Sequence, residues 1–425
     1  MSKRLFFLTI SCIWIAGTTA ASEKQVSALT LQSALSQAYA TNPEIAAAAA
    51  RTDAERSAVR SQSFLDDPRI GYSHEANMNF MEMSQGAMDL LSISQEIKFP
   101  MKYVLLNRVQ NAKAAQAEEV ETQKKLEVRS KVIAGYYDLF AVDRVLTLLS
   151  AQRESLREIA RTAESRYATG SVPEQDEMKA HVEQTEIEKD ILMVEEEHAS
   201  AEAALHALLG QDTDAAIPIP KEELPSPRIT VDLAELTKMG EHHSRHIREA
   251  QAIVDQSQAF KSLAQWSYAP DFNLSYQRAL GSYFGQNAYA AEIEITFPLW
   301  FLTKQSSEVA AASARENESE QNFEAVKLDH VAEMRSLAAK VSSTGKIIEI
   351  YHTGLIPQAE STLNSSRASY RAGRSSFIEL LDSERSLYTV KIAYYRSLAQ
   401  FAEQVSKLEE IMGESISNLP FGGPS

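Results

Sequence analysis

Two kinds of apolar periodicity alternate along this chain. Four short segments, 68–76, 90–99, 270–278 and 289–298, place apolar side chains at alternate positions, as in Leu91, Ile93, Ile97 and Phe99 or Ala291, Ile293, Ile295 and Phe297. Successive side chains of a strand point to opposite faces, so a period of two predicts four β-strands. The stretches between the paired segments, 77–89 and 279–288, are polar or contain glycine and predict hairpin loops. Helical spacing fills most of the remainder. Segments 30–64 and 231–266 each precede a strand pair. Segment 102–168 has no proline and only Gly135 as an interruption; at about 1.5 Å per residue a continuous helix there is roughly 100 Å long. Its counterpart after Trp300 carries Gly354 and Pro357, where a break or kink is expected. Return helices follow. Ile187, Ile191, Val194, His198, Ala201, Leu205 and Leu208 advance in alternating steps of four and three, and Leu387, Tyr394, Leu398, Phe401, Val405, Leu408 and Met412 keep the same period. A sustained 3.5-residue repeat predicts coiled-coil packing on neighbouring helices.

The same grammar occurs twice. Tyr167-Ala-Thr-Gly170 and Tyr370-Arg-Ala-Gly373 are offset by 203 residues, as are Leu208-Leu-Gly210 and Ile411-Met-Gly413. Further upstream, Ile93-Ser-Gln-Glu-Ile97-Lys-Phe99-Pro100 and Ile293-Glu-Ile295-Thr-Phe297-Pro298 are offset by 198, and Asp67-Pro68 and Ala269-Pro270 by 202. Four features in one order at nearly constant offset predict a duplicated unit of about 200 residues, too long for a solenoid repeat. The expected organisation is a secretory leader 1–21, a first repeat 22–210, a linker 211–230 stiffened by Pro218, Pro220, Pro225 and Pro227, a second repeat 231–413 and a tail 414–425.

Composition sharpens this picture. Gly (15) and Pro (13) are scarce for 425 residues, which disfavours turn-dense sandwiches and propellers and favours long helices. Lys3 and Arg4 precede an apolar run, 5–16, and small residues at 17–21, the grammar of a cleaved secretory leader. Cys12, the only cysteine, lies in that run, so the mature chain is expected to lack disulfides, thiolate nucleophiles and cysteine metal ligands. No later stretch reaches the ~18 apolar residues of a membrane helix. The formal charge of −16 argues against nucleic acid as a partner and suits cations or basic partners. No phosphate loop, His-Glu-x-x-His motif or nucleophile elbow is present, so no enzyme class is supported.

Strands of about ten residues fit a tilted membrane-spanning β-strand. Four cannot close a barrel, since the smallest membrane barrels have eight, and lipid does not tolerate open edges. Strands of this kind therefore require several copies to share one barrel. The alternative is a soluble pair of hairpins on a helical stalk.

In these residues the chain resembles the TolC-type outer-membrane factor family over nearly all of its mature length. The resemblance rests on Leu31-Gln-Ser-Ala-Leu35, Asn42-Pro43-Glu44-Ile45, the Tyr-x-x-Gly turns and the Leu-Leu-Gly and Ile-Met-Gly helix ends. Residues 93–97 with Asn107-Arg108, and 297–305, look most like its cation (heavy-metal) efflux branch. The fold so implied is mainly α with a small β part, a duplicated unit of coiled-coil helices and hairpins assembled as a homotrimer. Its twelve-stranded β-barrel sits in outer-membrane lipid above a periplasmic α-helical barrel. The implied function is the outer-membrane channel of a tripartite efflux system, working with a periplasmic membrane-fusion adaptor and an inner-membrane pump of the resistance-nodulation-division type, without cofactor. Drug efflux or type I protein secretion is the alternative cargo, and a periplasmic coiled-coil adaptor is the alternative class.

The resemblance also marks residues. Gly170, Ser171, Gly373 and Arg374 correspond to the tip turns that meet the adaptor; the plainer reading of the glycines is an ordinary helix cap. Glu379 and Asp382, three apart and so on one helix face, match acidic gate positions, where Asp is more usual than Glu at the first; a solvated surface pair is the alternative. Asp176 and Tyr370 correspond to groups that hold the tip closed. The basic partner expected two places after the second glycine is replaced by Ser375, with Arg371 and Arg374 as substitutes. Met78, Met81 and Met83 crowd the first hairpin loop and are candidate soft ligands for Cu(I), or flexible apolar packing. His242, His243 and His246 have helical metal-ligand spacing without a nearby carboxylate motif.

Overall fold

The computed structural model describes residues 29–75, 88–211, 243–280 and 289–413. The first repeat supplies α1 (Leu31–Thr41), α2 (Pro43–Gln62), β1 (Arg69–Glu75), β2 (Met88–Ile97), α3 (Pro100–Ala168) and α4 (Glu174–Leu208). The second supplies α5 (Arg245–Gln265), β3 (Asp271–Leu280), β4 (Tyr289–Thr296), α6 (Ser306–Ile350), α7 (Ile356–Arg371) and α8 (Phe377–Met412). Met78, Met81, Met83 and His242, the tail and all of the proline-rich linker except Gln211 lie outside the described residues.

The expected strands form within a few residues of their sequence positions. The helix expected over 30–64 is two helices. Pro43 disfavours a helical conformation at the residue before it, and Asn42 is extended (ψ 122°). Its side chain accepts from the N–H groups of Glu44 (2.9 Å) and Ile45 (3.3 Å), capping α2. α3 runs unbroken for 69 residues through Gly135. The break expected near Gly354 and Pro357 is instead a π-helical turn, Tyr351–Leu355, that leads directly into α7. A wider turn accommodates the missing proline N–H without ending the rod. A second π turn, Phe301–Gln305, opens α6.

The strands form one antiparallel sheet in the order β1-β2-β3-β4. Its centre joins the repeats, with Ile93 opposite Tyr276 and Ile97 opposite Phe272. Below it Lys102 holds Asp271 at 2.8 Å, and Asp271 accepts from the Phe99 N–H. Two apolar cores lie along α3. The one nearer the sheet packs Val128, Val132, Ile133 and Tyr136 with Ala34, Leu205, Met334, Phe401 and Val405. The farther one packs Leu149, Leu156, Ile159 and Ala163 with Ile187, Leu363, Tyr370, Phe377 and Leu380. The heptad positions therefore face a core, although His198, Leu208 and Tyr394 are only half-buried.

Each repeat closes on its own first helices. Gly210 (φ 61°) lies against the Thr41 carbonyl, where a Cβ would stand 2.7 Å from its oxygen, and Thr41 Oγ1 donates to Leu209 O at 2.6 Å. Gly413 (φ 77°) lies against the His243 carbonyl, where a Cβ would stand 2.2 Å away.

Candidate channel wall and tip

Strand alternation divides the sheet into two chemically different faces. Paired residues share a face, so one face carries Ile70, Tyr72, Leu91, Ile93, Phe272, Leu274, Tyr276, Ile293 and Ile295. The other carries Arg69, Ser92, Ser94, Glu96, Asn273, Ser275, Gln277, Glu292 and Glu294. On the polar face Asn273 donates to Glu294 at 2.8 Å, and Arg69 lies 3.6 Å from Glu96. His74, Asp89 and Arg278, the charged or ionisable residues in register with the apolar face, sit at its hairpin end, away from the helices. This is the apolar-out, polar-in pattern of a membrane barrel wall. Ile70 is 75% exposed and Ile293 70% exposed, so the apolar face is uncovered in one chain. β1 and β4 each leave one edge unpaired in the sheet. Where β4 ends, Phe297, Leu299, Trp300 and Leu302 form an exposed apolar collar at the helix junction. Among the described residues no helix is long and apolar enough to cross a membrane.

The opposite end of the molecule carries the two glycine turns. α3 and α7 end alike: Gly170 N–H donates to Tyr167 O and Ser171 N–H to Arg166 O, as Gly373 N–H donates to Tyr370 O and Arg374 N–H to Ser369 O. Paired bonds of this kind are a Schellman cap, which needs the left-handed conformation both glycines adopt (φ 70° and 71°). Glu379 and Asp382 are both exposed in the first turns of α8. Glu379 also closes a capping box: its N–H donates to Ser376 Oγ and its carboxylate accepts from the Ser376 N–H at 3.3 Å. Asp176 lies in the first turn of α4 with Glu174 and Glu177, where the helix dipole favours negative charge.

Tyr370 is buried at the foot of the bundle, 5.7 Å from the Phe377 ring. Burial raises its phenol pKa, opposed by the Arg166 cation and reinforced by the Asp176 charge. The basic partner of this turn is Arg166, at the end of α3. Its Nη1 donates to Tyr370 O at 2.5 Å and its guanidinium lies 4.8 Å from the ring centroid. Arg371 and Arg374, the expected substitutes, are exposed. Arg166 was hidden from sequence reasoning because the 203-residue offset aligns it with Ser369; only the asymmetry of Arg166-Tyr167 against Ser369-Tyr370 pointed to it. Among the described residues no group of three His, Cys, Asp or Glu side chains is placed to hold a metal.

Known proteins place this architecture. The chain is 21% identical over 387 residues to the cobalt-zinc-cadmium resistance protein CzcC of Cupriavidus metallidurans, covering 91% of this chain and 90% of that protein. Its fold is similar to that of the outer-membrane channel OprN (TM-score 0.79, 16% identity, 91% of this chain and 90% of the other). It is also similar to CusC, described for its transmembrane channel formation (TM-score 0.78, 18% identity, 91% and 92%). Residues 34–211 and 239–414 both match the outer membrane efflux protein family. With that match in both halves, the chain belongs to the outer membrane efflux protein family and is a channel protein of the outer membrane with a long periplasmic helical part, not an enzyme.

Proposed function

We propose that three copies of this chain form one efflux channel that passes metal cations outward from an inner-membrane pump and a periplasmic adaptor. The observation that carries this reading is the four-stranded sheet with one apolar face and two unpaired edges. Pairing β4 of one copy with β1 of the next removes every edge after ring closure, and three copies supply twelve strands, enough for a membrane barrel. The Phe297–Leu302 stretch then lies at the lipid boundary, where aromatic side chains are favoured. Cations as cargo are supported by Glu96, Glu292 and Glu294 on the polar face, by the Glu379 and Asp382 pair, and by similarity to a protein named for cobalt, zinc and cadmium resistance. Acidic rings concentrate cations in a pore. In the same reading Gly170, Ser171, Gly373 and Arg374 meet the adaptor, while Glu379, Asp382, Asp176 and Tyr370 form the gate. The pump is of the resistance-nodulation-division type.

Two measurements test this. Crosslinking in native membranes is expected to trap a three-subunit species; a pore formed by a monomer defeats the assembly. Deleting the gene is expected to raise sensitivity to divalent or monovalent metals. Unchanged metal tolerance with lost tolerance to organic drugs, or with lost protein secretion, reassigns the cargo.

A further inference from the structure

One carboxyl group near the tip sits where a carboxylate is costly. Glu384 is fully buried and neither of its oxygens makes a hydrogen bond of good geometry, the Ser155 hydroxyl being its nearest polar neighbour. On α8 it follows Phe377 and Leu380 and precedes Leu387, all core residues, so it occupies the core stripe of the helix. It is covered within a single protomer, and assembly with other copies can only cover it further. The groups that face it come from every packed helix. α7 presents Arg367, whose Nη2 is already given to Ser155 Oγ on α3 at 2.6 Å. Beside them Ser155, Arg367 and Tyr370 line a small cavity with one acid, Glu158 of α3, and one further cation, Arg371 of α7. α4 presents Glu183, which pairs with Arg385. α8 itself presents Tyr388. Arg367 lowers the cost of a charge at Glu384 without bonding to it, Glu183 raises that cost, and burial outweighs both.

We propose that Glu384 is a proton-operated latch: protonated, it lets α7 and α8 pack against α3 and α4 just above the tip turns, and deprotonated, it favours states in which that bundle opens to water. The physical basis is the cost of an unpaired charge in an apolar core, which disappears when the carboxyl is neutral or reaches solvent. Burial, the first cause, with Glu183 assisting and Ser155 and Arg367 opposing, pushes Glu384 up to about 7. A solvent-exposed glutamate titrates near its ordinary value of about 4.3. As pH rises from that range to about 7, the open state releases its proton first, so the closed state loses stability; above about 7 both states are ionised and the loss levels off. A role in gating rests on the tip assignment proposed above, whereas the latch itself can be tested without it.

The experiment is hydrogen exchange of the full-length assembled protein between pH 5 and 8.5, corrected for intrinsic exchange rates. Peptides from 356–391 report the latch, and peptides from 245–265 are the control. Protection of 356–391 relative to the control is expected to fall on the order of tenfold across this range and to level off above neutrality. Glu384→Gln is expected to remain protected throughout. Equal pH trends in the wild type and Glu384→Gln, or a fall already complete at pH 5, overturn the proposal. If Glu384→Gln does not assemble, Arg367→Gln decides. Loss of the cation is expected to move the plateau to higher pH, and an unmoved plateau overturns the latch.

Discussion

Arg166 and Tyr370 lie in the last turns of helices from two different repeats, yet one side chain joins them: Arg166 donates to the Tyr370 carbonyl at 2.5 Å and covers its ring. The contact ties the end of α3 to the turn after α7, across the foot of the bundle. Arg166→Met is expected to cost about 1.5–3 kcal/mol of local stability, the range for a hydrogen bond to a charged group. Proteolysis at 169–176 and 371–376 is then expected to accelerate tenfold or more, with assembly and global melting unchanged. Arg166→Lys is expected to restore little, because an ammonium lacks the planar fork that both bonds the carbonyl and stacks on the ring.

The four left-handed glycines differ in what surrounds them. At Gly170 an added Cβ meets open space, so Gly170→Ala bears only backbone strain, on the order of 1 kcal/mol. At Gly413 the same Cβ would stand 2.2 Å from the His243 carbonyl oxygen. Gly413→Ala is therefore expected to abolish accumulation of assembled protein, while Gly170→Ala assembles normally. Quantifying the assembled form in membrane extracts checks both.

Replacing Glu379 with Gln and Asp382 with Asn is expected to keep the helix start, since Gln also serves in a capping box. It removes two charges per copy from the exposed face. Two carboxylates ~4 Å apart repel by about 4 kcal/mol at an effective dielectric near 20, so a converging set holds cations strongly. In planar bilayers, trivalent cation added at the tip side is expected to block the wild type more than the double variant. Equal block shows that these are surface charges with a capping duty.

Glu409, 1% exposed, pairs with Arg129 and joins α8 to α3 beside the sheet-side core. Glu409→Ala removes a charge-assisted bond from the half-buried Arg129, and the expected loss is about 1.5–3 kcal/mol. The double variant Arg129→Leu/Glu409→Met is expected to recover most of it. Thermal loss of helical signal, compared across the three proteins, measures both changes.

The strands, the long helices and the duplication were legible because each rests on a short-range rule: a period of two, a period of 3.5, or a glycine where a helix must turn. The split at Asn42 departed from the single helix expected over 30–64, although the Pro43 that follows it carries the signal. The tip was legible only where it is local. Gly170 and Gly373 announce their turns, but Arg166 acts on a residue 204 positions away that is not its repeat equivalent. Glu379 and Asp382 were visible as a pair, whereas the capping role of Glu379 depends on Ser376 lying at the helix boundary. Glu384 stands among many acidic residues in composition; its spacing from Leu380 and Leu387 marks it as a core position, a signal masked by its polarity.

The central β2–β3 pairing and the packing of α8 on α3 bear on how such a chain can be delivered. Export proceeds from the N-terminus, so α3 emerges before the helix that covers it. Val132, Ile133 and Tyr136 remain bare until Phe401, Ala402 and Val405 arrive, and β2 waits for β3. Non-local contacts of this kind slow folding and leave apolar surface open to aggregation. The emerging first half therefore keeps this apolar surface bare until the last helix has crossed. A chain stopped before residue 398 is therefore a substrate for periplasmic proteolysis, not a half-channel.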